Sequence, residues 1–451
     1  MEAPPLRVIV SIGLPLVLYN GISQVFSFFD TLIASNIGAA TVSTVAFVSQ
    51  IGQMLSAIGS GVGVGGGIMI ARQFGAGDRA GVERLVSTVV FLALGLAAVL
   101  LLASLPFPAA ALRLFGMPSD LLTRETIHYF ILEIAGIAAV FVNTVYIAIL
   151  RSKGSTRSIF FLNVMILSLK LSLTLLFVYV FRKGLVWLSL ASLIAQGSLT
   201  AIAVITFLKP GHPFRVSVRS ADFSRRTLLP LLSLSLPVFL EKFVFNYGKV
   251  VVNSMAASYG SLAIGALGVS NRLGGLSTMP PIGFEDAEAA IVAQNLGNGN
   301  EKRALSMFKR VLVLNFGIGV LMFAVMSVFQ KPIISLFARG DPEFATEIAG
   351  IYDYERYATV LLAVSAAIMG LLYGFGLTRV TMILNILRLF AFRIPPLYYI
   401  LHYTNLGSEG LGWAMMISNL MVGLAACAVA IVFVGRLRAA PMKPKGKKSG
   451  R

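Results

Sequence analysis

The segment GSTRSIFFLN at residues 154–163 recurs as GLTRVTMILN at residues 376–385, an offset of 222 residues. The same offset places Glu133 on Glu355 without a gap. It also aligns several glycines with one another: Gly52 with Gly274, Gly61 with Gly283, Gly75 with Gly297, and Gly77 with Gly299. A match of this length at one offset indicates an internal duplication, in which two homologous halves share one fold.

The composition places both halves in a membrane. Of 451 residues, 57% are hydrophobic and 12% are charged, whereas about a quarter of the residues in a soluble domain are charged. Continuous apolar runs long enough to span a bilayer favour helices over a barrel of alternating strands. Twelve such runs lie near residues 8–33, 44–71, 86–108, 127–150, 158–181, 185–207, 229–257, 262–294, 311–330, 351–375, 380–403 and 411–434. We therefore predict an all-α integral membrane protein with twelve transmembrane helices.

The duplication and the spans together predict the domain organisation. Residues 1–208 and 229–434 form two six-helix bundles, 209–228 is a cytoplasmic linker, and 435–451 is a basic cytoplasmic tail. Six spans per half give both halves the same orientation. Parallel repeats of this kind enclose a central cavity, with the substrate site between them near the midplane of the membrane. A single chain with both halves is expected to act as a monomer.

The net charge of +18 follows the membrane topology. The loops after even-numbered spans, together with the tail, hold most of the Lys and Arg residues. The opposite loops hold only six: Arg113, Arg124, Arg182, Lys183, Lys331 and Arg339. This asymmetry predicts a multi-pass protein of the cytoplasmic (plasma) membrane with both termini in the cytoplasm. We expect the lipid bilayer, and not nucleic acid, to be the partner of these charges.

The sequence gives no sign of an enzyme. The single cysteine, Cys427, lies in an apolar run, and the three histidines form no metal-ligand pattern. No His-Glu-x-x-His motif, Ser-His arrangement or Walker loop is present. We therefore expect no catalytic residues, no metal and no cofactor. A channel or a scaffold without transport activity is the remaining alternative, but charges inside a membrane are costly and usually functional.

Three stretches resemble the multidrug and toxic compound extrusion (MATE) family of the wider multidrug/oligosaccharidyl-lipid/polysaccharide exporter superfamily. They are FFDTLIASNIGA at 28–39, ARQFGAGDRAGVER at 71–84, and GVSNRLGGLSTMPPIGFEDAEAAIVAQNLGNGN at 268–300. The resemblance implies a multidrug exporter whose two bundles alternate between outward-open and inward-open states. It also implies antiport, in which export of small organic molecules is driven by inward flow of H⁺ or Na⁺. A flippase for an anionic lipid or lipid-linked precursor is the alternative within the superfamily.

Asp30 is the leading candidate for cation coupling. It lies deep in the first span and matches the first-helix aspartate of the family. A carboxyl group in this setting needs a cavity, a partner or a proton. A structural hydrogen bond to a neighbouring helix is the alternative. The family often carries a second acid in span 5, where this chain has Lys170 and Thr174, so a two-carboxylate site in the first half is in doubt.

Polar residues at helical spacing predict the substrate cavity. Asn20 and Gln24, with Tyr19 beside them, lie on one side of span 1. The equivalent positions of span 7 hold four polar residues: Lys242, Asn246, Lys249 and Asn253. With Lys170 and Arg388 they predict a basic cavity, which favours an anionic or zwitterionic substrate. Polar contacts between helices are the alternative.

Acidic residues accompany these cations. Glu241 adjoins Lys242 and is included in the predicted cavity. Glu285 and Glu288 share a helix face, and we expect either a second cation-coupling site or ion pairs with nearby cations, with ion pairs favoured because buried charge needs a partner.

Structural or gating roles are predicted at eight positions. They are Glu133, Glu355, Pro280, Pro281, Gly75, Gly77, Gly297 and Gly299. The proline pair is expected to loosen the backbone of span 8. The four glycines are expected to end long helices in tight turns that need positive φ.

Overall fold

The computed structural model describes residues 4–37, 39–115, 117, 119, 121–209, 214–338 and 341–439, without the side chains of 5, 25, 27–32, 34–37, 39–43 and 261. This part of the chain is helical and contains no strand. The first half consists of α1 (Pro5–Ile37), α2 (Ala39–Ala76), α3 (Arg79–Ser104), α4 (Pro108–Leu114), α5 (Arg124–Lys153), α6 (Thr156–Leu175) and α7 (Leu185–Leu208). The second consists of α8 (Arg225–Ala256), α9 (Ser261–Gly297), α10 (Glu301–Ala338), α11 (Pro342–Glu355), α12 (Thr359–Phe375), α13 (Thr378–Phe390), α14 (Ile394–Tyr403) and α15 (Glu409–Ala439).

These helices correspond in order to the twelve predicted spans. Eleven stretches of the described chain are long and apolar enough to cross a membrane. Two are built from two α-helices each: Arg356–Ala358, a short 3₁₀ turn, joins α11 to α12, and a turn at 391–393 joins α13 to α14. The twelfth span is α9, whose polar and charged residues lower its mean hydropathy. The predicted fold class is confirmed, and only the short helix α4, which begins at Pro108, was not predicted.

Because the number of spans is even, both chain ends of the described bundle lie at the same end of it, called here the terminus side. The loops 77–78, 154–155, 209–224, 298–300 and 376–377 lie on that side too. Gly77 and Gly299 adopt φ of 77° and 67°, as a turn glycine would. Gly75 and Gly297 do not, so the expectation of positive φ was wrong for this pair. They lie in the last turns of α2 and α9, where the two helices approach each other.

The two halves contact each other through a pseudo-twofold set of glycines. A methyl group on Gly75 would meet the Gln294 backbone, 2.9 Å from its Cα, and one on Gly297 would meet the Arg72 backbone at the same distance from Cα. Arg72 and Gln294 are themselves repeat equivalents. A second reciprocal pair brings Gly61 against the α8 backbone and Gly283 against the backbone of α1. These helices can therefore touch only because the glycines lack side chains.

Hydrophobic contacts between the halves are concentrated near the terminus side. There, Ile68 and Ala71 of α2 share a buried cluster with Val238 and Val292. Away from that side, the described core residues divide into a cluster of α2, α3, α4, α5 and α7 and a cluster of α8–α11, α14 and α15. The halves are joined on the terminus side and separate towards the other, which leaves a space between them.

The linker between the halves is held against the first half. Phe214 is buried, the Ser217 backbone N–H donates to Ser87 Oγ at 3.1 Å, and Ser220 Oγ donates to Glu83 at 2.9 Å. The Asp222 backbone N–H donates to Thr88 Oγ1 at 2.9 Å. The linker therefore follows the terminus-side surface of α3 before α8 begins.

The Asp222 carboxylate is expected to fix the start of α8. Hydrogen bonds from the Thr227 hydroxyl and the Ser224 backbone N–H lower the pKa of Asp222 from 3.8 to about 2. Because the folded pKa is lowered, this contribution to stability is present above pH 3.8 and is lost as the pH falls towards 2. At pH 7 we expect Asp222→Asn to raise hydrogen–deuterium exchange at residues 222–228 a few-fold. Asp341→Asn, at the N-terminus of α11, is the control and should leave that peptide unchanged; equal exchange in wild type and Asp222→Asn would refute the assignment.

Candidate functional site

A cavity of about 680 Å³ lies between the two halves. Its wall is built from α2, α5, α6 and α7 of the first half and α8, α9, α12, α13 and α15 of the second. A volume of this size suits a small organic molecule. Both halves of the duplication contribute residues to the cavity wall. A relative movement of the halves would therefore change the shape of the cavity.

The charged lining of the cavity is mixed. Three acidic and three basic side chains line it: Glu133, Glu241 and Glu285, and Lys170, Lys242 and Arg388. The predicted basic character therefore does not hold for the described lining as a whole, because α5, α8 and α9 each supply a carboxylate. Polar groups such as Gln53, Asn246 and Asn385 separate the charges.

Glu241 is held by a network that belongs wholly to the second half. Its carboxylate accepts hydrogen bonds from Tyr373 Oη at 2.6 Å, Thr381 Oγ1 at 3.0 Å and Asn385 Nδ2 at 2.9 Å. The side chain is buried, and its three donors come from α12 and α13. Thr381 and Asn385 lie in the repeated segment 376–385, so the repeat marked these positions although it did not reveal their partner.

Glu285 and Glu288 lie one helical turn apart on α9, but the predicted ion pairs are absent among the described residues. Glu288 is fully buried, and neither of its carboxylate oxygens has a hydrogen-bond partner. A methyl group on Gly370 of α12 would lie 2.8 Å from Glu288 Oε2, so this carboxylate is enclosed by packed backbone. Glu285 lines the same cavity as Lys242 and Arg388 without an ion pair to either, and Glu288 is not part of that lining. The first half has Gly63 and Gly66 at the positions equivalent to Glu285 and Glu288. This difference between the repeats was the sequence signal that marked the two carboxylates as specific to the second half.

Pro280 and Pro281 do not break α9, which continues as a helix through both residues. Pro281 lines the cavity, and its carbonyl oxygen accepts a hydrogen bond from Asn315 Nδ2 at 3.3 Å. The expected loosening of the backbone therefore does not interrupt α9. It is limited to the Pro281 carbonyl oxygen, whose hydrogen bond comes from a side chain of α10.

Arg388 and Arg393 share one neutral acceptor. Arg388 donates through Nε and Nη2 to Asn419 Oδ1 at 3.0 and 2.7 Å, and Arg393 Nη2 donates to the same oxygen at 2.8 Å. Arg393 is buried and also donates to Ser418 Oγ at 2.9 Å. The ring of Phe245, which lines the cavity, has the Arg388 guanidinium 5.4 Å and Lys249 Nζ 5.1 Å from its centroid.

Polar contacts close the terminus side between the halves. Arg151 of α5 forms an ion pair with Asp286 of α9, with Nη1 and Oδ1 separated by 2.7 Å. Gln294 Nε2 donates to the Ser152 backbone carbonyl, and Arg72 Nη2 donates to the Gly374 carbonyl at 3.4 Å. The sequence did not predict these pairings, which depend on how the halves approach.

The structure separates the predicted cavity residues into two groups. Five line the cavity: Lys170, Glu241, Lys242, Asn246 and Arg388. The other five are not part of the described lining: Tyr19, Asn20, Gln24, Lys249 and Asn253. Span 1 packs mainly against α9 and α6, so its polar face does not oppose that of α8 across the cavity. Lys249 and Asn253 are exposed and continue the cavity-facing stripe of α8 away from the terminus side. The side chain of Asp30 lies outside the described residues.

Glu133 and Glu355 occupy equivalent places against equivalent glycines. Glu133 Oε1 lies 3.9 Å from a methyl group placed on Gly52, and Glu355 Oε1 lies 2.6 Å from one placed on Gly274. Glu355 is buried and accepts a hydrogen bond from Ser270 Oγ at 2.6 Å, whereas Glu133 is half-buried at the cavity wall. The duplication thus preserved the packing while the surroundings of the two carboxylates diverged.

Comparisons with known proteins agree with this architecture. The chain is similar to "Probable multidrug resistance protein NorM" of Thermotoga maritima, at 23% identity over 93% of this chain and 91% of that protein. It is also similar to "Multidrug export protein MepA" of Staphylococcus aureus (strain MSSA476), at 21% identity over 97% and 96% of the two chains.

Solved structures share the fold. One described as "Crystal structure of MATE in complex with MaL6" has a TM-score of 0.92 at 20% identity, covering 97% of this chain and 98% of that one. Another, described as "Reverse polarity of binding pocket suggests different function of a MOP superfamily transporter from Pyrococcus furiosus", has a TM-score of 0.89 at 21% identity over 97% of both chains. The MatE family model matches residues 15–176 and 237–399. Since that model covers most of the chain, once in each half, the chain belongs to the MatE family.

Proposed function

We propose that this chain is a secondary active exporter of small organic molecules, in which alternating access between the two halves is coupled to inward movement of H⁺ or Na⁺. The names of its relatives, NorM and MepA, describe multidrug resistance and multidrug export, which supports this cargo class. We further propose that it acts as a monomer in the plasma membrane with both termini in the cytoplasm. The rigid units are the predicted bundles 1–208 and 229–434.

Alternating access is supported by the distribution of contacts between the halves. Glycine crossings and the Arg151–Asp286 pair join the halves on the terminus side, while the described core clusters of the other side stay within one half. This corresponds to one state of a two-state cycle. A state open to the terminus side would need these contacts to separate.

The observation that carries the coupling proposal is Glu288. A fully buried carboxylate without a hydrogen-bond partner is costly unless it binds a proton or a metal cation. Glu285, one turn away, lines the cavity and offers a second carboxylate through which the ion could enter. Access of the ion to Glu288 would then depend on the cavity that Glu285 lines, whose shape changes when the halves move.

The test is gradient-driven transport by the purified protein in proteoliposomes, with ethidium as the probe and a pH or sodium gradient imposed separately. Wild type should move ethidium under one of these gradients. Glu288→Gln, which keeps the shape but holds no exchangeable charge, should reduce gradient-driven transport tenfold or more while ethidium binding at equilibrium persists. Asp30→Asn, measured in parallel, tests the first-half carboxylate as the coupling group.

Glu133→Gln is the matched control, since it makes the same substitution at a carboxylate of the first half that lines the cavity. It should retain gradient-driven transport. Unimpaired coupling in Glu288→Gln would refute the role of Glu288, and an equal loss in Glu133→Gln would show that only total cavity charge matters.

A flippase for an anionic lipid or lipid-linked precursor is the second candidate. It is favoured by the cations Lys170, Lys242 and Arg388 and by the likeness to a superfamily structure whose description reports a binding pocket of reverse polarity. Three carboxylates in the lining of the same cavity favour the exporter of smaller molecules as the first candidate.

A further inference from the structure

The arginines of the second half are positioned by a group that does not neutralise them. Asn419 is buried, and its Oδ1 accepts three N–H donors from Arg388 and Arg393. These donors fix the orientation of the amide. A neutral carbonyl oxygen orients both guanidinium groups without cancelling either positive charge, whereas a carboxylate at this place would cancel one of them.

The two arginines differ in whether N–H donors remain free to bind a ligand. Arg393 is 5% exposed and is occupied by Ser418 and Asn419, so its role is structural. Arg388 lines the cavity, and its Nη1 is neither buried nor hydrogen-bonded to a described residue. A guanidinium held by one edge presents its free donors in a fixed direction, here towards the cavity.

The charges around Arg388 are mainly positive. Lys242 and Lys249 of α8 are both exposed. Lys242 lines the cavity, and Lys249, two turns further along α8, lies over the same Phe245 ring as Arg388. The acids nearby are directed elsewhere. The Glu241 carboxylate is occupied by Tyr373, Thr381 and Asn385. Glu355 interacts electrostatically with both arginines, but it is buried, bonded to Ser270 and not part of the cavity lining. The remaining carboxylate of this half that lines the cavity, Glu285, is on another helix, α9.

We propose that Arg388, Lys249 and Phe245 form an anion subsite at the second-half wall of the cavity, which binds the carboxylate, sulfonate or phosphate group of an aromatic or amphipathic ligand. The guanidinium donates to the anion, Lys249 adds a second charge, and the Phe245 ring provides the apolar contact. The inference rests on the proposed transport function, since it names the class of molecule that the cavity accepts. With the carboxylates on the remaining walls, a zwitterion is the other ligand that this subsite would hold.

The subsite is tested by equilibrium binding to the full chain in nanodiscs, with two probes of the same ring and opposite charge. The probes are 1-naphthalenesulfonate and 1-naphthylmethylammonium. Arg388→Gln should weaken sulfonate binding about tenfold or more, because a charge-assisted hydrogen bond and a charge are lost. Binding of the ammonium probe should not weaken. Lys170→Gln, which removes a lining cation of the first half, should weaken sulfonate binding much less.

Asn419→Asp tests the same idea without altering the cavity wall. It replaces the neutral acceptor by a carboxylate, keeps the side-chain volume and should reduce sulfonate affinity as strongly as Arg388→Gln. Unchanged sulfonate affinity in both variants, or an equal loss in Lys170→Gln, would overturn the subsite. Because binding needs no ion gradient, failure of gradient-driven transport with these binding results intact would overturn only the proposed function.

The source of the anion is distinguished by the lipid. In nanodiscs that contain phosphatidylglycerol instead of phosphatidylcholine alone, competition with the sulfonate that is lost in Arg388→Gln would identify a lipid headgroup as the occupant. Sulfonate affinity that is independent of phosphatidylglycerol would identify a free organic anion.

Discussion

Replacing Gly297 by alanine is expected to keep the two halves apart on the terminus side and to stop gradient-driven transport. The new methyl group would meet the backbone of Arg72, and backbone cannot give way as a flexible side chain can. Overpacking of this kind costs about 1–3 kcal/mol. Since roughly 1.4 kcal/mol corresponds to a tenfold change in an equilibrium constant, the closed state should lose about five- to a hundredfold in population. Gly75→Ala, its repeat equivalent against Gln294, should act in the same way.

The separation of the halves can be measured directly with spin labels. Arg157 and Arg379 are exposed repeat equivalents at the terminus-side ends of α6 and α13, and Cys427 is the single native cysteine. Labels on Arg157→Cys and Arg379→Cys in a Cys427→Ser background should move apart in Gly297→Ala. Gly268→Ala, on the same helix but facing open space, is the matched control. A wild-type distance distribution in Gly297→Ala would show that the glycine crossing does not determine closure.

The helices could be predicted because each is encoded locally. A long apolar run in a membrane forms a helix because its backbone N–H and C=O groups can then hydrogen-bond to one another, and the lipid offers no other partners. The offset of 222 residues then assigned the runs to two equivalent sets. The crossing of the halves could not be predicted in the same way. Gly75 was interpreted as a turn residue because it lies near a helix end, but its role depends on Gln294, which only the tertiary structure brings to it.

The residues of the candidate site show the same division between what local periodicity predicts and what depends on contacts between helices. Helical spacing placed Lys242 and Asn246 on one face of α8, and both line the cavity. The same periodicity put Glu241 beside them, yet its carboxylate is directed to Tyr373 and Asn385, over 130 residues away in the chain. An abundance of cations predicted ion pairs for Glu288, but abundance does not say which helix faces meet. Pairings between helices are therefore the part that the sequence left open.

Glu355→Ala is expected to cause the largest loss of stability among the buried carboxylates considered. Glu355 is 8% exposed, and the charges of Arg393 and Arg388 act on it. Without it, these arginines and Lys249 would have only neutral close partners among the described residues: Ser418, Asn419 and the Phe245 ring. Removing one partner from a buried set of charges costs about 3–5 kcal/mol. The free energy of unfolding should fall accordingly, seen as a lower midpoint of thermal unfolding in detergent.

Glu133→Ala is the control that isolates the effect of the cations. Glu133 meets its glycine in the same way but is half-buried at the cavity wall, where water screens the loss of its charge. Its thermal midpoint should fall less than that of Glu355→Ala. Because the anion subsite loses a counter-charge, Glu355→Ala should also be stabilised by added 1-naphthalenesulfonate more than wild type is, since a ligand that binds only the folded state raises its stability. Equal midpoints for the two variants, or no response to the sulfonate, would show that Glu355 supports packing alone and does not balance the arginines.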